Sequence, residues 1–182
     1  YVSGSSIYVC ESYYNSEESD VTQTCIRKVA YKDGTLEAVG QTRIDGTLND
    51  SFSIDEYEGK LRLVTTVSPT GGAGPFPIVT FGESPFSSKS TKKDSNSLYV
   101  LDEKLNELGK IEGLAEDEQV YSARFMGSTG YFVTFKQVDP LFSVDLSNPE
   151  KPEVIGALKI PGFSDYLHPY GDGLLLGIGM DV

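Results

Sequence analysis

Apolar positions in this chain fall in short runs broken by Gly, Asp, Asn, Ser and Pro. Residues 6–10, 24–29 and 36–44 form a first group, with the turn Lys32-Asp33-Gly34 before the third run. Asp-Gly between two such runs is a strong hairpin signal, because both turn residues must take positive φ. A second group comprises residues 51–55, 61–65, 98–101 and 107–111, and a third comprises 120–125, 131–135, 141–144 and 154–160. Residues 163–168 and 174–178 open a fourth. Each run reads as a strand. Residues 98–101, 131–133 and 174–176 are continuously apolar rather than alternating, which predicts strands buried on both faces.

The groups share a grammar. Gly40 leads to Ile44-Asp45-Gly46, Gly109 to Ile111-Glu112-Gly113, and Gly156 to Ile160-Pro161-Gly162, and an aromatic-Ser pair follows each: Phe52-Ser53, Tyr121-Ser122 and Phe163-Ser164. An all-strand unit recurring every roughly 40–70 residues is the signature of a propeller blade. A blade lies between two neighbours and has no wet face, so stacked blades account for the continuous runs better than a two-sheet sandwich. The expected fold class is therefore all-β, a β-propeller fragment of about three four-stranded antiparallel blades in one partial domain over residues 1–182. Its units are residues 1–46 (incomplete), 47–113, 114–162 and 163–182 (incomplete). The longer second unit carries a Gly-, Ser-, Pro- and Lys-rich stretch at residues 67–96, expected to be a partly mobile surface insertion whose apolar middle, Phe76-Pro77-Ile78-Val79-Thr80-Phe81, packs on the body.

Composition agrees: 19 Gly, 9 Pro, 11 Tyr and 9 Phe without Trp suit a turn-rich β protein. With 27 acidic against 15 basic residues, the net charge of -12 repels phosphate backbones and anionic lipid, so nucleic acid is not an expected partner. No apolar run is long enough to span a bilayer as a helix. The chain opens on the approach to a strand and stops just after one, so any export signal or anchor is expected outside it.

Several segments resemble a known family. Tyr121-Ser122-Ala123-Arg124-Phe125-Met126-Gly127, Val133-Thr134-Phe135, Val138-Asp139-Pro140-Leu141-Phe142 and residues 158–169 look like the secreted bacterial and archaeal β-propeller proteins described as distantly related to WD repeats. Residues 52–57 and 61–66 resemble the preceding blade of that family, and Leu141-Phe142-Ser143-Val144-Asp145-Leu146-Ser147-Asn148-Pro149 is similar to the LVIVD-type repeat of cell-surface proteins. The resemblance implies an exported propeller and carries no catalytic residues with it. The Trp-Asp pair of ordinary WD repeats is absent.

Cys10 and Cys25 are the sharpest local feature. If their runs pair as a hairpin centred between Glu17 and Glu18, the two sit directly opposite, at Cα separations of about 4.5–5.5 Å that a disulfide accepts. The alternative is two unrelated buried thiols. His168, the single histidine, lies near Ser164 and Asp165, but without a nucleophile elbow its expected role is structural. Gly71-Gly72-Ala73-Gly74 lacks the Lys-Ser/Thr of a phosphate loop. Asp55-Glu56, Asp102-Glu103 and the acidic stretch 11–20 offer oxygen ligands of the kind Ca²⁺ takes, yet without the spaced calcium-loop pattern they read as solvated loops. Residues 145–152 read as a turn capped by Asp and Asn.

Two functional readings follow. The first is a non-catalytic extracellular or cell-surface module holding a protein, glycan or envelope partner on its loops, with no cofactor beyond a possible Ca²⁺. The second is a propeller-type polysaccharide hydrolase or lyase using acidic residues. Unpaired terminal blades also lead us to expect that this stretch, studied alone, self-associates as a two-fold dimer.

Overall fold

Asp33 and Gly34, at φ 52° and 79°, form the tight turn that folds β2 (Gln23–Lys32) back onto β3 (Thr35–Asp45). Glu58 and Gly59, at 50° and 74°, do the same between β4 (Ile54–Tyr57) and β5 (Lys60–Val67). Paired left-handed residues match the twist of the flanking strands, and for this reason such turns close hairpins. The computed structural model describes residues 1–14, 18–70, 93–135, 139–160, 163–171 and 173–180. The remaining strands are β1 (Ser6–Tyr13), β6 (Ser95–Leu101), β7 (Glu107–Leu114), β8 (Gln119–Met126), β9 (Thr129–Phe135), β10 (Asp139–Asp145), β11 (Glu153–Ile160), β12 (Phe163–Gly171) and β13 (Leu174–Met180).

Every strand pairs antiparallel with its successor in its own sheet, giving β1-β2-β3, β4-β5-β6-β7, β8-β9-β10-β11 and β12-β13. The expected blades are thus present in the expected order. The aromatic-Ser pairs occupy matching places at the head of each sheet. The Ser53 carbonyl accepts the Val64 amide, Ser122 pairs with Val133 and Ser164 with Gly179.

The core lies between sheets. Tyr8, Ile26 and Ile44 meet Ile54, Leu61, Leu63, Tyr99 and Leu101 in one layer, while Val64, Leu98 and Val100 meet Val120, Ala123, Phe132, Val144 and Leu146 in the next. Successive side chains of β5 and β6 therefore enter different layers, which is the physical content of their unbroken apolar pattern. On the face of the second layer Asn96, fully buried, accepts from the Thr66 hydroxyl at 2.9 Å and donates to the carbonyls of Leu114 at 3.1 Å and Glu118 at 3.1 Å. The polar knot satisfies the chain where it passes from the second sheet to the third.

Residues 174–176 depart from expectation. Leu174 is 57% and Leu176 47% exposed, because no further strand or sheet among the described residues covers β13. The insertion expected at 67–96 leaves β5 at Val67 and returns at Ser95; residues 71–92, including Phe76–Phe81 and the Gly71-Gly72-Ala73-Gly74 stretch, lie outside the described residues.

The recurring glycines of β3 and β7 have a tertiary cause. A Cβ on Gly40 would stand 3.2 Å from the Lys104 carbonyl oxygen, and one on Gly109 only 2.5 Å from that of Pro149. In both cases the last strand of one sheet crosses the turn between the third and fourth strands of the next. Two carboxylates hold those turns. Asp102 Oδ1 accepts the Lys104 and Asn106 amides, each at 2.8 Å, and Asp145 Oδ1 accepts that of Ser147 at 2.8 Å. The Asn106 side chain first of all, and the Ser147 amide in the second turn, hold these carboxyls below the usual carboxylate range.

Candidate functional site on the leading strands

The sheets approach one another at their leading strands, with β8 packed on β12 and reaching β5. The loop before β4 is built by Asp50, whose Oδ1 accepts the amides of Phe52 at 2.8 Å and Ser53 at 3.1 Å. Asn49 anchors the loop to β8 by donating to the Tyr121 carbonyl at 2.8 Å. The serines of the aromatic-Ser pairs turn inward: Ser53 is fully buried, and Ser122 Oγ donates to the Ser164 carbonyl at 2.8 Å. Their aromatic neighbours turn outward, Phe52 and Tyr121 each being 39% exposed. A small polar side chain ties one sheet to the next while a ring is presented on the surface.

Arg124 of β8 gathers three sheets. Its Nε donates to the Leu167 carbonyl of β12 at 2.8 Å, and its guanidinium carbon lies 3.9 Å from the centre of the Phe52 ring and 5.1 Å from that of Tyr166. Phe52 and Tyr166 meet edge to face at 5.5 Å. The Tyr166 hydroxyl lies 3.0 Å from Nδ1 of the exposed His168. A guanidinium between ring faces is attracted by their negative quadrupole and held in a fixed plane. The result is a half-exposed wall of two aromatic rings, one arginine and one histidine.

His168 does not address Ser164. A bulge between Ser164 and Tyr166 shifts the register of β12 against β13, and both Ser164 and Leu167 overlie Gly177. Ser164 therefore shares the Leu167 face, whereas Tyr166 and His168 take the other. The arrangement is not that of a nucleophile and its base.

The cysteines are also displaced from the expected geometry. Cys10 pairs with Ile26 and Cys25 with Glu11, a register one residue away from direct opposition. In an antiparallel pair this places the two sulfurs on opposite faces of the sheet. Both are free thiols. Cys10 looks into the first core layer beside Tyr8 and Ile26, where burial raises its pKa; Cys25, buried, lies on the face of Glu11 and Arg27. Non-reducing mass spectrometry of air-exposed protein is expected to find two thiols, and a Cys10–Cys25 bridge in folded protein would contradict this register.

The acidic pairs have protein partners. Asp55 is bonded to Arg62, Glu56 accepts from Ser3, Asp102 caps its turn, Glu11 pairs with Arg27 at 2.9 Å and Glu18 with Arg43 at 2.8 Å. Among the described residues no group of three or more His, Cys, Asp or Glu is placed to hold a metal ion. No helix among them is long and apolar enough to cross a membrane.

Arg124, Phe52 and Tyr166 were not singled out from the sequence as site residues. Aligning the repeats on Ser53, Ser122 and Ser164 puts Asp55, Arg124 and Tyr166 at one position, and that alternation of charge and ring was the available signal.

The whole chain, residues 1–182, matches the family described as Beta propeller domain. It is 41% identical over 171 residues to an uncharacterized protein of Archaeoglobus fulgidus, covering 94% of this chain and 23% of that protein. It is 44% identical over 139 residues to an uncharacterized protein of Methanocaldococcus jannaschii, covering 76% of this chain and 20% of that protein. The chain thus spans under a quarter of the length of each of these relatives.

Proposed function

Because the chain belongs to the β-propeller domain family, we propose that it is a non-catalytic binding module that presents the wall formed by Phe52, Arg124, Tyr166 and His168 to a ligand outside the cell. The observation that carries this reading is the convergence of two leading strands, β8 and β12, and the loop before β4 on one arginine flanked by half-exposed rings. Rings and a fixed guanidinium supply flat contact area and directional donors at little conformational cost, which suits recognition. No group in the wall is set to activate a nucleophile, since His168 is turned toward Tyr166 and away from Ser164. The extracellular or cell-surface setting is supported by the resemblance to secreted propellers, including the LVIVD-like character of residues 141–149.

The test is a screen of the full-length protein against glycans and cell-envelope proteins, with the ligands recovered and sized afterwards. A retained and unshortened ligand is expected. Release of shortened saccharides would replace this reading with that of a polysaccharide hydrolase or lyase.

A further inference from the structure

The chain has five asparagines, Asn15, Asn49, Asn96, Asn106 and Asn148. Asn49 alone has Ser or Thr two positions on, in Asn49-Asp50-Ser51, with no Pro between. This is the acceptor pattern for an N-linked glycan, in which the transferring enzyme reads the hydroxyl of the third residue while it modifies the amide of the first. Three residues can match by chance, so the placement of these three in the fold decides. Asn49, Asp50 and Ser51 are all exposed and lie in the loop before β4, outside any strand. Asn96, by contrast, is fully buried. The Ser51 hydroxyl makes no hydrogen bond among the described residues, and Ser51 borders an open cleft of about 290 Å³ together with Tyr1, Leu48 and Asp50. Both groups that a transferase must reach therefore stand on accessible loop.

We infer that Asn49 is a site of N-linked glycosylation, accepting an oligosaccharide from a lipid-phosphate carrier. This rests on the extracellular setting proposed above, because such transfer acts on exported chains. In the step, Nδ2 of Asn49 attacks the anomeric carbon of the carried sugar: the N–C bond forms, the bond from that carbon to the phosphate oxygen breaks, and the lipid phosphate leaves with the electron pair. The proton lost from Nδ2 passes to a base of the transferase. The local hydrogen bonds allow this. A side-chain amide carries two hydrogens, and Asn49 Nδ2 makes one good bond, to the Tyr121 carbonyl at 2.8 Å, and one long contact, to Asp50 Oδ2 at 3.5 Å. Glycosylation leaves one N–H, enough to keep the Tyr121 bond, and gives up only the long contact. The glycan would then stand on the same loop as Phe52, whose ring centre lies 3.9 Å from the Arg124 guanidinium carbon. One side of the proposed binding wall is thereby bordered by the protein's own carbohydrate.

The test uses full-length protein recovered from its native host, after intact cells have been labelled with a biotin reagent that does not cross membranes. Trypsin cuts after Arg43 and Lys60 and releases residues 44–60, in which Asn49 is the only asparagine. Mass spectrometry is expected to find this peptide enlarged by whole sugar residues, with fragmentation placing them on Asn49. Ser51→Ala should abolish the enlarged form while keeping Asn49 and its bond to Tyr121, and Ser51→Thr should retain it. Both variants should melt with the parent, since the Ser51 side chain holds nothing in place. Biotin-labelled protein that yields only the bare peptide would overturn the inference and leave the extracellular setting standing. Sugar found on a serine or threonine of the peptide instead of on Asn49, or sugar on Asn49 that survives Ser51→Ala, overturns it as well. Unlabelled protein with a bare peptide overturns the setting and the inference together.

Discussion

Gly109→Ala is expected to cost about 3 kcal/mol or more, at the upper end of what one methyl group does by overpacking. The added Cβ would stand 2.5 Å from the Pro149 carbonyl oxygen, 2.8 Å from Pro152 Cδ and 2.9 Å from the Glu150 carbonyl carbon. All three belong to backbone or a proline ring, so no flexible side chain can swing aside. The Asp145 and Asn148 side chains also hold that turn, accepting the Ser147 amide at 2.8 Å and the Glu150 amide at 3.1 Å. Relief requires the second and third sheets to separate. A fall in Tm of roughly 6–12 °C follows for a domain of this size. Gly4→Ala, which meets nothing within 4 Å, is the matched control and should melt with the parent. A Gly109→Ala protein melting with the control would show that the outer strands do not abut these turns.

The second large effect is asymmetric. Arg62, its side chain only 4% exposed, is bonded to Asp55 and to the Gly127 carbonyl, with its guanidinium carbon 4.7 Å from the Tyr57 ring centre and 5.1 Å from that of Phe125. Asp55 is 29% exposed. Asp55→Ala leaves a buried cation unneutralised and is expected to cost about 3–5 kcal/mol. Arg62→Met leaves a carboxylate that water still reaches and puts an adaptable apolar chain between two rings, so its cost should be about half as large. The double variant should recover most of the Asp55→Ala loss. Urea denaturation of the four proteins measures the cycle, and an Arg62→Met cost equal to or above that of Asp55→Ala would refute the account.

The two cases mark where sequence reading ends. Alternation and apolar runs determined the strands, because a pleated strand alternates faces and a strand between two layers cannot afford a polar one. Asp33-Gly34 determined a hairpin, since few residue pairs accept two positive φ angles. The repeated glycines and aromatic-Ser pairs determined that the units are copies and hence a propeller. The reason Gly40 and Gly109 recur was tertiary: only with the next sheet in place does the Gly109 Cβ position crowd the Pro149 carbonyl, whereas Gly156 meets only Ser143 Oγ of its own sheet, at 2.9 Å. Cys10 and Cys25 fell to the same limit. A one-residue change of register exchanges faces, and the sequence between the two runs carries no turn pair strong enough to fix it. The wall around Arg124 was the least legible of all. Phe52, Arg124 and Tyr166 are separated by 72 and then 42 positions in the chain, and they come from the loop before β4, from β8 and from β12. Their meeting is decided by how blades pack at their leading edges, a property of the assembled layers that no local pattern encodes.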